Sequence, residues 1–244
     1  MRFDSPSNEN LADDLVQPLI TGWAKSRAGK NVTVIHEHGR THCVFKTPIG
    51  GQSRDRESFY WENTDIIESA RNFHQERQHF LSIFGNENLP DTVVSAAGYK
   101  LLVREMLMYR PVRKDLNSGE TSVKRISHSD EADWFNQQKG HKFILPEHLD
   151  DNDVYDFYTC DGGVLTSCAR AIHQNNFFVV DDVYTHPEYR RKGLASQILT
   201  EIATTAFQAG AYAEILIASE GGIPLYLKEN FLAVAPLRVF SMNN

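Results

Sequence analysis

Apolar and polar residues alternate along this chain in patterns that predict helices and strands in mixed order. In the first half, residues 12–26 predict a helix, and residues 31–48 predict two strands around a turn at Gly39. Residues 64–85 begin with a capping Thr and end with a Gly, which favours a second helix. Residues 99–111 alternate between apolar and polar side chains, as a strand that closes this half would.

The second half predicts short strands interleaved with helices. After a strand near residues 122–127 and a helix near 130–138, further strands are expected at 154–160, 164–173, 177–185, 213–219 and 231–241, with a hairpin turn at Asp161, Gly162 and Gly163. A helix follows the strand at 177–185, because its apolar residues lie at i, i+3, i+4, i+7 and i+11, on one helical face: Ala195, Ile198, Leu199, Ile202 and Ala206. Gly210 ends that helix, and a short helix covers the residues after Pro224.

A polar segment divides the two halves. Residues 113–121, RKDLNSGET, carry Asn, Ser and Gly and follow Pro111, which is typical of a linker. The sequence therefore predicts an N-terminal α/β domain over residues 1–115 and a second domain over 121–244, both of ordinary domain size. The predicted fold class is mixed α/β, a twisted mixed sheet flanked by helices with the smaller N-terminal α/β domain beside it.

Composition limits the partners that the chain can have. The 244 residues carry a formal net charge of -7, which argues against a general nucleic-acid surface. No apolar run reaches membrane-spanning length, and the three cysteines form no CxxC pair. We therefore predict a cytoplasmic protein with reduced thiols and with neither a nucleic-acid nor a membrane partner.

A cluster of cations at a helix start contrasts with the acidic chain. Arg190, Arg191 and Lys192 stand before Gly193 and the amphipathic helix. A helix N-terminus favours negative charge, so this cluster indicates that an anion binds there. The common phosphate motifs GxxxxGK[ST] and GxGxxG do not occur here.

The motif Arg190-x-x-Gly193-x-Ala195, between a strand and a helix, resembles the acyl-CoA motif of the GNAT superfamily of N-acyltransferases. The string IPLYLKENF, which ends at Phe231, is similar to a later element of that family. The resemblance covers residues 122–242 and implies a GNAT-like fold and acetyl-CoA as co-substrate. It also implies that the strand end and the loop amides hold the coenzyme: Val183, Tyr184, Thr185, Arg190, Arg191, Lys192, Gly193, Leu194, Ala195 and Ser196.

The resemblance further implies catalytic roles. Tyr226 stands where the family's general acid stands, although a tyrosine packed against the sheet would look the same in sequence. Asp181 and Asp182 follow an apolar run, where carboxylates are costly unless they are solvated, paired or used. Either one could act as the base through a water, or no carboxylate is essential. A backbone N–H between Val183 and Thr185, freed by a bulge, would stabilise the oxyanion.

Three positions depart from the family's pattern. Asn230 replaces a glycine before Phe231, and asparagine tolerates left-handed backbone. Ser219 and Gly222 replace the frequent Asn and Ala ahead of the tyrosine helix, which leaves the contacts of that loop with the pantetheine arm open.

The first half has its own candidates. His36, His38, His42 and Cys43 across the predicted hairpin could form a zinc site, but such loose spacing is unspecific, and we predict no metal. The end of this half resembles the closing strand of a GNAT unit. It is either a degenerate GNAT-like half or an unrelated lid or dimerisation domain, and in both cases we expect it to wall the acceptor pocket.

Together these features predict an acetyl-CoA-dependent N-acetyltransferase that acts on a primary amine, on a small molecule, by direct attack in a ternary complex. Two alternatives stay open: a coenzyme-A-binding regulatory module or pseudoenzyme, and an acetyltransferase for a protein or aminoacyl-tRNA. A homodimer is a further hypothesis. The sequence gives neither the acceptor nor the acyl chain length.

Overall fold

Both halves of the chain contribute to one sheet of eleven strands. The computed structural model describes residues 11–50, 53–61, 66–68, 78–85, 88–113 and 121–242. The strand order is β1-β2-β3-β4-β11-β5-β10-β9-β8-β7-β6. The strands span Val32–Glu37, Arg40–Ile49, Arg54–Tyr60, His79–Phe84, Tyr99–Pro111, Lys124–Arg125, Val154–Asp161, Val164–Gln174, Phe177–Thr185, Ala213–Ser219 and Leu232–Met242, numbered β1 to β11 in that order.

Helices cover both faces of this sheet. They span Leu11–Ala28, Asp91–Ala96, Ser129–Lys139, Pro146–Leu149, Leu194–Gln208 and Ile223–Lys228, numbered α1 to α6. The predicted mixed α/β class, with a large mixed sheet flanked by helices, is confirmed. Most of the predicted linker, residues 114–120, lies outside the described residues, and the division into two domains stays a prediction.

The two halves exchange their last long strands. In the first half the parallel pair β3 and β4 is followed by β11 from the second half, while the parallel pair β9 and β10 of the second half is followed by β5 from the first. The exchanged strands β5 and β11 pair with each other at the centre of the sheet, antiparallel. As a result, residues of β5 lie directly beside strand β10 of the second half.

Helix α1 belongs to the first half but packs mainly on strands of the second. Its buried residues Leu15, Leu19 and Ala24 share a core with Ile172 of β8 and Val179 of β9. Gly22 makes this contact close, because a Cβ there would come within 2.5 Å of the Val179 side chain. The C-terminal end of α1 is thereby fixed above β8 and β9.

The opposite face of the second half is covered by α5. Its apolar stripe, Ile198, Leu199, Ile202 and Ala206, is fully buried against Phe178 and Leu216 among others, as the periodicity predicted. No helix of the described residues is both long enough and apolar enough to cross a membrane.

The helix predicted over residues 64–85 is wrong at its end. Residues 79–84 form β4, in which every residue is buried. Alternate residues of β4 pack into two different cores, one containing Phe80 and Phe84 and the other Leu81 and Ile83. A strand buried on both faces has a continuous apolar run, which the pattern alone cannot distinguish from a buried helix.

Candidate functional site

The loop between β9 and α5 opens into a cleft of about 830 Å³, here called the loop cleft. Gly193 caps α5 with φ +79°, and Arg191 also adopts a left-handed φ of +62°. The backbone thus turns so that the first amides of a 15-residue helix, which have no acceptor within the helix, face the cleft. A Cβ on Gly193 would meet nothing within 4 Å, so the space at the helix mouth is open.

Strands β9 and β10 separate beside this cleft. They pair in parallel from Phe177 with Ala213 to Val180 with Leu216, and neither strand's remaining residues extend the pairing. β9 continues to Thr185 and β10 to Ser219, and both of these end residues line the loop cleft. The divergence therefore leaves a gap in the sheet that leads from the helix mouth toward the opposite face.

The residues predicted to bind the coenzyme gather here. All of them except Lys192 line the loop cleft, and Lys192 places its ammonium 4.5 Å from the ring centre of Tyr189, which does line it. Arg190 donates from Nε to the carbonyl of Thr185 at 3.1 Å, which holds the loop against the end of β9. Three cationic side chains and several unpaired amides at one helix start can hold a ligand that carries several negative charges.

Tyr226 on α6 forms part of the wall of the loop cleft and is 7% exposed. Its ring packs edge-on against Phe231 at 5.6 Å. A Cβ at Gly222 would come within 3.1 Å of this ring, so a glycine there makes room for the tyrosine. Asn230 has φ +64°, the left-handed conformation for which asparagine was expected to substitute for glycine.

The protonation state of Tyr226 suits a proton donor. Burial raises the pKa of its phenol, and the negative charge of Asp181 raises it further. The hydroxyl therefore keeps its proton at neutral pH. A protonated phenol at the wall of the cleft can supply a proton to a leaving group that becomes negatively charged.

Strand β9 carries the expected bulge. Its register with β8 shifts between the pairs Cys168 with Tyr184 and Arg170 with Asp181, and Asp182 takes φ +51°. Because of the bulge, Asp181 and Asp182 both turn toward the face that α1 and α3 cover. Sequence alternation alone would have put them on opposite faces.

Both acids have cationic partners on that face. Asp181 accepts hydrogen bonds from Ser26 Oγ and Arg27 Nη2 of α1, each at 2.7 Å, and its side chain is 11% exposed. Asp182 pairs with Lys139 Nζ of α3 at 2.6 Å. Burial acts to raise the pKa of Asp181, but the charge of Arg27 and the two hydrogen bonds outweigh burial and lower the pKa. A carboxylate held in this way is a weak base. The role of Asp181 as the proton acceptor therefore stays a prediction, and its ion pair with Arg27 argues against that role.

The pairing of Asp181 predicts a pH effect on stability. A carboxyl whose pKa is lowered by folding stabilises the protein above its ordinary pKa of 3.8, and this contribution is lost as the pH falls toward the lower folded value. We expect Asp181→Asn to lower the free energy of unfolding by about 1–2 kcal/mol at pH 7, since Arg27 is partly exposed. The variant should also lose less stability than the wild type as the pH falls from about 5 to about 3, a range that spans the ordinary carboxyl pKa.

Urea unfolding of both proteins across this pH range measures the effect. Asp133→Asn is the matched control, because Asp133 is exposed on α3. Parallel pH curves for the wild type and Asp181→Asn would show that Asp181 titrates alike in the folded and unfolded states, contrary to this expectation.

A second cavity, here called the central pocket, has a volume of about 490 Å³ and lies on the α1 face of the sheet. Trp23 of α1, Phe59 of β3 and Phe143 form aromatic walls, and Leu237 and Val239 of β11 line its floor with Ile217 of β10. It also contains two carboxylates, Glu57 of β3 and Glu105 of β5. A cavity with apolar walls and charged groups of both signs, lined by both halves of the chain, is a candidate small-molecule site.

Neither carboxylate of the central pocket was predicted from the sequence. By strand alternation Glu105 shares a face with Tyr99, Leu101, Val103 and Leu107, so a charge at an otherwise apolar position was the local signal that could have found it. The groups that surround it are determined only when the strand exchange places β5 beside β10.

The hairpin histidines do not assemble around a metal. Across the described ranges, no group of three or more His, Cys, Asp or Glu side chains is placed to hold an ion. His36 bonds Thr41 Oγ1 through Nδ1 at 2.9 Å, while His42 lies buried with Nδ1 2.7 Å from Ser58 Oγ. The two rings therefore have separate environments.

Comparison with known proteins places this site in a family context. Residues 116–231 match the sequence profile described as Acetyltransferase (GNAT) family. No curated protein matches the sequence.

Solved structures share the fold over nearly the whole chain. A GCN5-related N-acetyltransferase from Kribbella flavida superposes with a TM-score of 0.67 at 16% identity, covering 96% of each chain. A structure from Novosphingobium aromaticivorans, named for the GNAT family of acetyltransferases, gives 0.59 at 13% identity, over 94% of this chain and 97% of that one. A GCN5-related N-acetyltransferase from Sphaerobacter thermophilus gives 0.56 at 11% identity, over 83% and 76%. The likeness in fold therefore includes the N-terminal half.

Proposed function

We propose that this chain, whose residues 116–231 match the profile of the GNAT family of acetyltransferases, transfers the acetyl group of acetyl-CoA to the primary amine of a small molecule. The family supports acyl-CoA-dependent N-acetyltransferase activity in general. The acceptor class, the coenzyme contacts and the direct mechanism go beyond that general activity and are proposed here.

One observation carries the proposal. Ser219, which lines the loop cleft, pairs directly with Glu105, which lines the central pocket. Opposite residues of an antiparallel pair have Cα atoms roughly 5 Å apart. Two cavities that approach this closely can hold two substrates for direct transfer, and the gap between β9 and β10 lies beside the same point.

The loop cleft fits the coenzyme. Its open helix mouth, the left-handed turn at Arg191 and Gly193 and the surrounding cations suit a pyrophosphate. When bound, acetyl-CoA would supply an activated thioester. Tyr226 would then donate its proton to the sulfur as the thiolate departs, and amides near the β9 bulge would face the oxyanion.

The central pocket fits a small amine better than a protein side chain. It is bounded by Trp23 and Arg27 of α1, by the strands of the first half and by the segment at Phe143, so that walls rise on several sides. Its aromatic and aliphatic walls suit an apolar body. Its lining carries charges of both signs, but Arg54 is paired with Glu57 and Arg27 with Asp181, so the carboxylate of Glu105 is left to bind an ammonium group. The N-terminal half would thus form the acceptor site, as the sequence led us to expect.

Release of free coenzyme A thiol from acetyl-CoA tests this function. We expect release that depends on an added amine, assayed with spermidine, 2-phenylethylamine, amino acids, an aminoglycoside and a lysine peptide. Because the pocket of about 490 Å³ has walls from α1, from the first-half strands and from the segment at Phe143, the small amines should react faster than the peptide. Release with the peptide alone would favour a protein acceptor.

Other outcomes of the same assay separate the alternatives. A higher melting temperature with acetyl-CoA but no release with any amine would favour the binding-module alternative. Neither release nor a melting shift would contradict the coenzyme assignment itself.

A further inference from the structure

Glu105 lies in the central pocket directly beside a residue of the loop cleft. It lines the central pocket, and its β-sheet partners are Ser219 of β10 on one side and Leu237 of β11 on the other. Ser219 lines the loop cleft together with Tyr226. Glu105 reaches this position only because β5 of the first half is inserted beside β10.

The other carboxylates near this point are already engaged. Glu57 pairs with Arg54 and accepts a hydrogen bond from Ser82 Oγ, and Asp181 is held by Ser26 and Arg27. In contrast, the side chain of Glu105 makes no hydrogen bond or ion pair with any residue that the structure describes, although its backbone pairs with both neighbouring strands. Its carboxylate is therefore available to a ligand in the central pocket.

The surroundings of Glu105 contain charges of both signs. Burial has the largest effect on the pKa of Glu105 and raises it, and the negative charges of Glu57 and Asp181 raise it further. The positive charges of Arg27 and Arg54 lower it, but the net effect is an increase. The charged and titratable groups that face it come from α1, β3, β9 and the segment after α3: Arg27, Arg54, Glu57, Asp181, His141 and Lys142. A carboxylate with a raised pKa is better matched to proton transfer at neutral pH than the ion-paired Asp181.

We propose that Glu105 binds the ammonium group of the acceptor and takes the proton that must leave before the nitrogen can attack. This inference rests on the proposed function and assigns the base to the first half of the chain. Arg27 and Asp181 then act as positioning residues that hold α1 over the pocket.

In the proposed step, one N–H bond of the ammonium breaks and its proton goes to a Glu105 oxygen. The freed nitrogen pair forms the C–N bond at the thioester carbonyl, and the C–S bond then breaks. The thiolate takes the Tyr226 proton, the protonated amide nitrogen returns one to the phenolate, and Glu105 releases its proton to solvent. The net products are the acetamide, free thiol and one proton.

The test compares kcat/KM against pH for the wild type and Glu105→Gln, using whichever amine of the panel reacts fastest. We expect Glu105→Gln to lose about 100-fold at pH 7, the low end for loss of a general base. The defect should shrink as the pH rises and the amine loses its proton in solution. With phenylhydrazine, whose terminal nitrogen is already neutral at pH 7, the defect should be less than about 10-fold for the same reason.

Controls separate this role from a structural one. Glu37→Gln changes an exposed glutamate of β1, outside both cavities, and should keep the wild-type profile. The acetyl-CoA melting shift should be the same in the wild type and Glu105→Gln. If Glu105→Gln does not fold, Glu105→Asp replaces it in the test. That variant should retain partial activity, and the acidic side of its kcat/KM profile against pH should differ from that of the wild type.

Two results would overturn the inference. An unchanged pH profile in Glu105→Gln, or a defect that is equal for protonated and neutral amines, would exclude Glu105 as the proton acceptor while leaving the enzyme assignment intact. Absence of amine-dependent release from the wild type would instead remove the proposed function and this inference with it.

Discussion

Tyr226→Phe should lower kcat by about 100-fold to 1,000-fold, because the departing thiolate loses its proton donor. The ring of Tyr226 packs against Phe231 and beneath Gly222, and phenylalanine preserves both contacts. The affinity for acetyl-CoA should therefore change little, and the loss should appear in kcat rather than in KM. Steady-state rates at saturating acetyl-CoA, together with calorimetric binding of the coenzyme, measure the two effects.

A matched tyrosine tests the specificity of this result. Tyr212→Phe also removes one phenol hydroxyl, but Tyr212 is 51% exposed and lies outside the loop cleft. The kcat of this variant should therefore stay near that of the wild type. Equal rates for Tyr226→Phe and the wild type would show that the thiolate leaves without a proton from this residue.

Arg110→Met should lower the free energy of unfolding by about 3–5 kcal/mol, the usual cost of leaving a buried charge without its partner. Arg110 of β5 donates to both oxygens of Glu214 of β10 at 2.8 Å, and Glu214 is completely buried. It also donates to the carbonyls of Leu199 and Glu229, each at 3.0 Å. This one side chain thus ties the exchanged strand to α5 and to the end of α6.

Urea unfolding measures the loss, and two variants define its cause. Arg104→Met removes an arginine of the same strand whose side chain is 59% exposed and should cost less than about 1 kcal/mol. Arg110→Met combined with Glu214→Leu should recover part of the loss, since the stranded carboxylate is gone while two carbonyls still lack a donor. Equal costs for Arg104→Met and Arg110→Met would mean that the buried pair does not hold the strands together.

Local patterns predicted most elements of the second half. The stripe on α5, the hairpin at Gly162 and Gly163 and the loop at Gly193 each depend on residues close in sequence, and the structure has them where they were expected. The left-handed Asn230 also follows from a short segment, whereas the bulge in β9 was expected from the family resemblance. Such features are predictable because backbone geometry and neighbouring side chains determine them.

Features that depend on distant segments were less predictable. The strand at His79–Phe84 was assigned to a helix, because burial on both faces removes the alternation that identifies a strand. The partners of Asp181 lie 154 and 155 residues away on α1, and no sequence pattern connects them. The bulge was expected, but which face each acid would meet depended on where α1 and α3 pack.

The sequence by itself indicated the resemblance of residues 122–242 to the GNAT family, the helix-mouth loop and the tyrosine helix that carries Tyr226, since each is encoded in a contiguous motif. Only the tertiary structure decided that β5 and β11 change places, which puts Glu105 between the two cavities and pairs both aspartates of β9 with cations. The physical reason is that strand pairing and charge pairing act through space. Alternation along β5 marks Glu105 as a charge at an apolar position, but it does not show which distant groups will surround that charge.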